Sequence, residues 1–292
     1  MTTQEPDLML DSSAAGLLGH IGSRAGDRLG RVRPFAPRAA RRAADGAPAL
    51  IAVGHGSRDP RAAATLRLLA DRVRELRPGL DVRLAHIELN EPLLADTLAG
   101  LSGDAVLVPL LFARGHHVTL DLPAAAAAAP AGTRVLIAGP LGPHPLLVEA
   151  LADRLAEAGW TPRDGASPGT GVVLAAAGSR APESAADTRR IAARLGERLG
   201  GVPVLAAYAS AAGPTVPEAV RALAARGRHR IAVASCFTAP GLFATRAAAH
   251  APWLAAAPLG PHPALARLIL HRYDETTAMS LTGTRELTAA IR

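Results

Sequence analysis

The stretch ALIAVGHGSRDP (residues 49–60) returns later in the chain as GVVLAAAGSRAP (residues 171–182). Each copy is a short apolar run, a Gly-Ser-Arg turn and then a proline. An apolar run without polar alternation suits a strand covered on both faces of a parallel sheet. Proline loses nothing at the first position of a helix, where its missing N–H would have no partner anyway. After Pro60, residues Ala63, Leu66, Leu69, Ala70, Val73 and Leu76 keep helical spacing up to Pro78-Gly79. Strand, glycine turn, helix is therefore written twice. The copies differ where chemistry is available, because His55 and Asp59 of the first become Ala177 and Ala181 of the second.

The pattern continues outward from both copies. DVRLAHIEL (81–89), DAVLVPLLF (104–112) and TRVLIAGPLG (133–142) read as strands, and PLLADTLAGL (92–101) and PLLVEALADRLAEAG (145–159) as helices. In the second half RIAVASCF (230–237) answers DAVLVPLLF, and APLGPHPALARLILHRY (257–273) answers AGPLGPHPLLVEALADRL. Alternating strands and helices with short connectors predict an α/β fold: two similar Rossmann-like domains with parallel sheets, produced by internal duplication. The expected division is an N-terminal domain over 48–160, a linker over 161–171 and a C-terminal domain over 172–274. Residues 1–47, with seven arginines among small residues in their second half, show no core-forming period and read as an Arg/Ala-rich tail. Residues 275–292 read as a C-terminal tail.

Composition narrows the function. All 32 basic residues are arginine, and the formal net charge is +7. Only 3% of residues are aromatic and no long basic block lies in the folded part, which argues against nucleic acid as a partner. The single cysteine, Cys236, excludes an internal disulfide and any Cys-ligated cluster within one chain. No apolar run is long enough to span a membrane and no signal-peptide pattern opens the chain, so the expected location is cytoplasmic, with no membrane partner. Monomer and homodimer are both compatible with the sequence.

Comparing the halves separates scaffold from site. Gly56/Gly178, Ser57/Ser179, Arg58/Arg180 and His144/His262 occur in both, so His144 is expected to pack or cap a helix start. Polar groups confined to the first half are His55, Asp59, the Glu88, Asn90 and Glu91 of IELNEP (87–92), and the histidines of GHHVTLD (115–121). That last segment becomes PGLFATR (240–246) in the second half. All follow the ends of the first three strands, the edge where open α/β sheets bind ligands. Imidazoles with a carboxylate suit Fe, Co, Ni or Zn, and imidazole also accepts protons near neutral pH. GHGSRD lacks the glycine spacing of nucleotide-binding loops. Ser57 is a weak nucleophile candidate, since Ser179 persists where no base does.

GHGSRDP, IELNEP and VPLLFARGHHVTLDLP (108–123) together resemble the sirohydrochlorin chelatases of siroheme and cobalamin biosynthesis, over about residues 48–273. The resemblance implies a class II chelatase fold of two facing α/β domains and a lyase that inserts a divalent metal into sirohydrochlorin. It implies that His55 and His117 are the catalytic and metal-binding pair. Around the macrocycle it places Asn90 and the loop Arg114–Thr119, with Gly115, His116, Val118 and Thr119. The carboxylates of such a substrate favour Arg58 and Arg114 as well, and Glu88 joins the expected contacts from the first-half rim set. The second half lacks both histidines, so one active site per chain is expected, with the C-terminal half as its opposite wall. No tightly bound cofactor is expected; Fe²⁺ or Co²⁺ is a substrate, with iron preferred because His-rich metal-storage tracts are absent. The other readings are a non-catalytic tetrapyrrole or metal carrier, and a phosphate-binding module built on the Gly-Ser-Arg turns.

Overall fold

In the first half the apolar runs form β1 (Ala49–Gly54), β2 (Val82–His86), β3 (Ala105–Pro109) and the short β4 (Val135–Ile137). They make one parallel sheet in the order β2-β1-β3-β4, with Leu50 paired to both Val82 and Val106. Every residue of β1 is buried, as a central strand covered on both faces requires. In the second half β5 (Thr170–Ala176), β6 (Val204–Tyr208) and β7 (Arg230–Ser235) repeat the arrangement as β6-β5-β7. Its fourth strand shrinks to a single bridge between Val233 and Ala255. This computed structural model describes residues 46–289. The expected N-terminal tail therefore lies, up to residue 45, outside the described residues.

The helices are α1 (Pro60–Leu76), α2 (Leu94–Ala99), α3 (Leu122–Ala127), α4 (Pro145–Glu157), α5 (Pro162–Gly165), α6 (Pro182–Arg198), α7 (Val216–Ala224), α8 (Leu242–Ala249) and α9 (Pro263–Ala289). Helix α1 starts where the proline signal put it. Asp59 is its N-cap, accepting from the Arg61 N–H at 2.9 Å and ion-pairing with the Arg61 guanidinium. That accounts for Asp59 without a chemical role. None of these helices is long and apolar enough to cross a membrane.

The expected linker and C-terminal tail both carry regular structure. The linker 161–171 contains the single helical turn α5, closed by a capping box between Thr161 and Asp164, and its last residues already belong to β5. The expected C-terminal tail is helical, since α9 runs on to Ala289. The polar segment DETT continues the helix through an Arg272–Glu275 ion pair and Thr side chains bonded to carbonyls one turn back. That polarity disguised the helical continuation as a tail.

A larger departure is an exchange of helices between the halves. Helix α4 of the first half packs on α6 and β7 of the second, whereas α9 packs on α1, α4, β3 and β4. Tyr273 Oη donates to the Pro48 carbonyl at 2.6 Å, and Arg77 pairs with Asp274. Leu147, Leu151, Leu174, Ile191, Leu268 and Ile269 share one buried cluster between the sheets, and a smaller cluster lies on each outer face. The halves consequently form one compact unit, and a cut at residue 160 would strip each sheet of a covering helix.

His144 and His262 are caps, as the comparison of the halves predicts. His144 Nδ1 accepts from the Leu146 N–H at 3.1 Å, and His262 Nδ1 from that of Ala264 at 3.2 Å. Burial and nearby arginines hold the His144 pKa down to about 4, from an ordinary 6.5. A ring neutral when folded but protonated when unfolded makes stability fall as pH drops from about 6.5 towards 4. His144→Ala is expected to cost about 1 kcal/mol, a typical N-cap loss, and to flatten that pH dependence. Thermal melts of both proteins between those pH values measure it; an unchanged melting curve contradicts the capping role.

Candidate active site

The rim of the first sheet is built from three loops. After β1 the chain turns through His55 and Gly56, whose φ of 109° only glycine adopts without strain. A Cβ there would stand 1.8 Å from the Glu88 carbonyl oxygen, so the β1 and β2 loops are in backbone contact. Asn90 Oδ1 then accepts from the Ser57 N–H at 2.7 Å, and Glu88 N–H donates to the His55 carbonyl at 3.0 Å. Leu89, held between these bonds, takes a φ of 65° with its side chain exposed, a costly conformation for so bulky a residue.

The loop after β3 ends in a π-helical turn, His117–Asp121. Its start is fastened by the Gly115 carbonyl, which accepts from the N–H groups of Val118 and Thr119. Such widened turns recur at functional sites. The His117 ring meets that of His55 edge-on, with centroids 4.5 Å apart and planes at 84°. His117 Nδ1 lies 2.6 Å from Asp121 Oδ2. An ionised carboxylate only accepts, so Nδ1 carries the proton and the free lone pair sits on Nε2. His55 Nδ1 faces two acceptors, the Gly56 carbonyl at 3.3 Å and Glu88 Oε1 at 3.6 Å, so its Nε2 is likewise the open nitrogen. Each ring is about a third to two-fifths exposed, reachable by a ligand yet held in place.

The structure thus brings His55, His117 and Glu88 together and adds Asp121, which belongs to the quoted motif but not to the expected site set. Its signal was the spacing of four residues after His117, one turn of helix. His116 is more exposed, with Nε2 3.8 Å from Asp121 Oδ1 and its ring centroid 6.1 Å from that of His117. Arg58 is exposed and makes no ion pair with the described residues. Val118 and Thr119 lie on the same turn as His117. Two residues expected at the macrocycle are engaged elsewhere. The acceptor oxygen of Asn90 fastens the Ser57 turn, and Arg114 pairs with Asp187 of the second half. His86, at the end of β2, is buried, and desolvation lowers its pKa. Its counterpart is Tyr208, so the position is one of packing.

The second half faces this rim with different chemistry. Gly241 lies against Ser57, where a Cβ would stand 3.5 Å from the hydroxyl, and a Cβ on Gly115 would stand 3.4 Å from that of Ser179. Each loop after a third strand therefore abuts the Gly-Ser-Arg turn of the other half. In the second copy His117 is replaced by Leu242, Val118 by Phe243 and Asp121 by Arg246. Leu242 and Phe243 are exposed, as are Leu89 and Leu120 on the first rim. Among the described residues no three His, Cys, Asp or Glu side chains gather into a metal-holding group. The Nε2 atoms of the two imidazoles are left open on the rim, with Glu88 and Asp121 facing the Nδ1 atoms instead.

A duplicated parallel α/β unit with helices exchanged across the middle and an imidazole pair on one rim defines a two-lobed chelatase-type fold. A family model described as CbiX matches the chain twice, over residues 49–158 and 171–276, and the chain belongs to that family. It is 29% identical over 123 residues to the sirohydrochlorin cobaltochelatase of Methanosarcina acetivorans; the match takes in 37% of this chain and 95% of that protein. It is 34% identical over 116 residues to the chloroplastic sirohydrochlorin ferrochelatase of Arabidopsis thaliana, across 37% of this chain and 52% of that protein. Among solved structures, SirB from Bacillus subtilis with Fe³⁺ superposes with a TM-score of 0.64 at 23% identity, covering 81% of this chain and 98% of SirB. The cobalt complex of the SirB chelatase of B. subtilis subspecies spizizenii gives 0.62 at 20% identity, covering 79% of this chain and 95% of that one. These two superpositions establish the fold.

Proposed function

We propose that the protein is a sirohydrochlorin chelatase that inserts Fe²⁺ or Co²⁺ into the macrocycle at the His55–His117 rim. The observation that carries this reading is the pair of imidazoles 4.5 Å apart, each with Nδ1 facing an acceptor and Nε2 open, in a chain of the CbiX family. Insertion removes two pyrrole N–H protons as the dication enters, so the metallated core is neutral overall. The two Nε2 lone pairs supply what that exchange needs: donors for an ion losing its waters and acceptors for the departing protons. Asp121 stabilises the His117 imidazolium that forms once the ring takes a proton. Neutral imidazole suits both Fe²⁺ and Co²⁺, and the relatives include an iron enzyme and a cobalt enzyme.

The facing rim supports a flat, anionic substrate. Leu242 and Phe243 offer an apolar surface to the ring, and the exposed Arg180 and Arg246, with Arg58 of the first half, offer charge to its carboxylates. Replacing Leu242 and Phe243 together by Ser is expected to weaken metal-free sirohydrochlorin binding by about tenfold or more. An absorbance titration measures this, and unchanged affinity would remove the second half from the binding wall. The function itself is tested by mixing protein, sirohydrochlorin and Fe²⁺ or Co²⁺ and following the visible spectrum. Acceleration over the protein-free mixture is expected. A spectral shift on binding without acceleration would identify a carrier.

A further inference from the structure

The histidine-bearing loop is tied to the other half by an ion pair that has no counterpart. Asp187, within α6, is buried. Its Oδ2 accepts from the backbone N–H of Arg114 at 3.2 Å and from Arg114 Nε at 2.9 Å. Its Oδ1 accepts from Arg114 Nη2 at 3.0 Å and Arg190 Nη2 at 2.8 Å. At the equivalent positions of the other copy stand Ala239 for Arg114 and Thr65 for Asp187. A polar pair that exists only between α6 and the loop carrying the histidines is a specialisation, by the logic that singled out the histidines.

The connection to the site is short. Arg114 immediately precedes Gly115, whose carbonyl fastens the turn that presents His117. Burial alone would raise the Asp187 pKa, but hydrogen bonds from Arg114 outweigh it and hold the carboxyl below the ordinary carboxylate range. The group is a buried anion satisfied by four donors, strong and directional. Arg114 and Asp187 also line a cavity of about 730 Å³ that includes neither His55 nor His117. The guanidinium serves the junction between the halves, not the rim.

We propose that Asp187 is a positioning residue, which acts through Arg114 to hold the His117 turn against His55. The half without histidines would then set the geometry of the pair in the other. This rests on the chelatase reading for its effect on rate but not for its effect on loop order, so the test takes both readouts. In Asp187→Asn and in Arg114→Ala, kcat for metallation is expected to fall on the order of 10- to 100-fold, the scale of a small misplacement of a reacting group. KM for sirohydrochlorin should be unchanged. The double variant should be no slower than Arg114→Ala alone, because one path is broken once. Amide exchange at Val118 and Thr119 should quicken in each variant while that of β5 stays constant. Should Asp187→Asn not fold, Arg114→Ala carries the same test, since its side chain is about half exposed. Arg114→Ala raising KM at constant kcat would make Arg114 a substrate contact and overturn the proposal, as would unchanged exchange at Val118 and Thr119. A wild-type protein that shows no turnover would remove the chelatase reading and leave the exchange result standing.

Discussion

His55→Ala and His117→Ala are each expected to slow metal insertion by on the order of 10²-fold or more, the scale of losing a general base. Neither should unfold the chain. The second copy builds the same turn with Ala177, and both rings are partly exposed, so little packing is lost. His116→Ala is expected to be milder, since His116 is the more exposed ring and sits 6.1 Å from His117. Ala177→His alone should create no second site, because Leu242 and Arg246 stand where its partner and orienting carboxylate would be. Initial rates at matched melting temperature decide these points. A dead His116 variant beside an active His117 variant would reassign the second histidine.

Gly56→Ala and Gly178→Ala are expected to destabilise the fold alike and to differ in activity. Both glycines have positive φ, 109° and 92°, and a Cβ would stand 1.8 Å from the Glu88 oxygen in one and 2.0 Å from that of Ser210 in the other. Backbone strain alone costs about 1–3 kcal/mol, and relieving the overlap must push the neighbouring loop away. In the first half that loop carries Glu88 and Asn90, which face His55 and fasten Ser57, so Gly56→Ala should also lose metallation per folded molecule. In the second half the same displacement touches Ser210 and leaves the imidazole pair intact. Denaturant midpoints with rates corrected for the folded fraction check this. Equal activity in the two variants would mean that the turn geometry does not govern the site.

What the sequence showed and what it hid divide along physical lines. The duplication, the sheets and the start of α1 rest on short-range signals: apolar runs, a glycine turn, a proline. His55 and the two histidines of GHHVTLD stood out because one chain holds both a chemically equipped copy and a stripped one; the choice of His117 over His116 came from the family resemblance. Asp121 was within reach, since a carboxylate four residues after a histidine shares its helical face. The exchange of α4 and α9 was not, because an amphipathic helix has the same pattern whichever sheet it covers. The polar run that carries α9 beyond Asp274 mimicked a tail. The bonding of Arg114 to Asp187 joins residues far apart in sequence, and an arginine beside an anionic-ligand motif reads naturally as a ligand contact. Asp59, by contrast, is absent from the second copy although its place in the first is that of a helix cap, and α6 starts after Ala181 without one, which shows that absence from one half marks a candidate and not yet a role.

Turnover of substrate at the rim of the first half is the central proposal. The most direct measurement is the metallation time course with sirohydrochlorin and Co²⁺ in large excess over protein, for the wild type and the His55→Ala/His117→Ala double variant. The wild type should metallate linearly far beyond a single equivalent, and the double variant should run at the protein-free rate with an unchanged melting temperature. A wild type that stops at a single equivalent, or a double variant that keeps turning over, would contradict it.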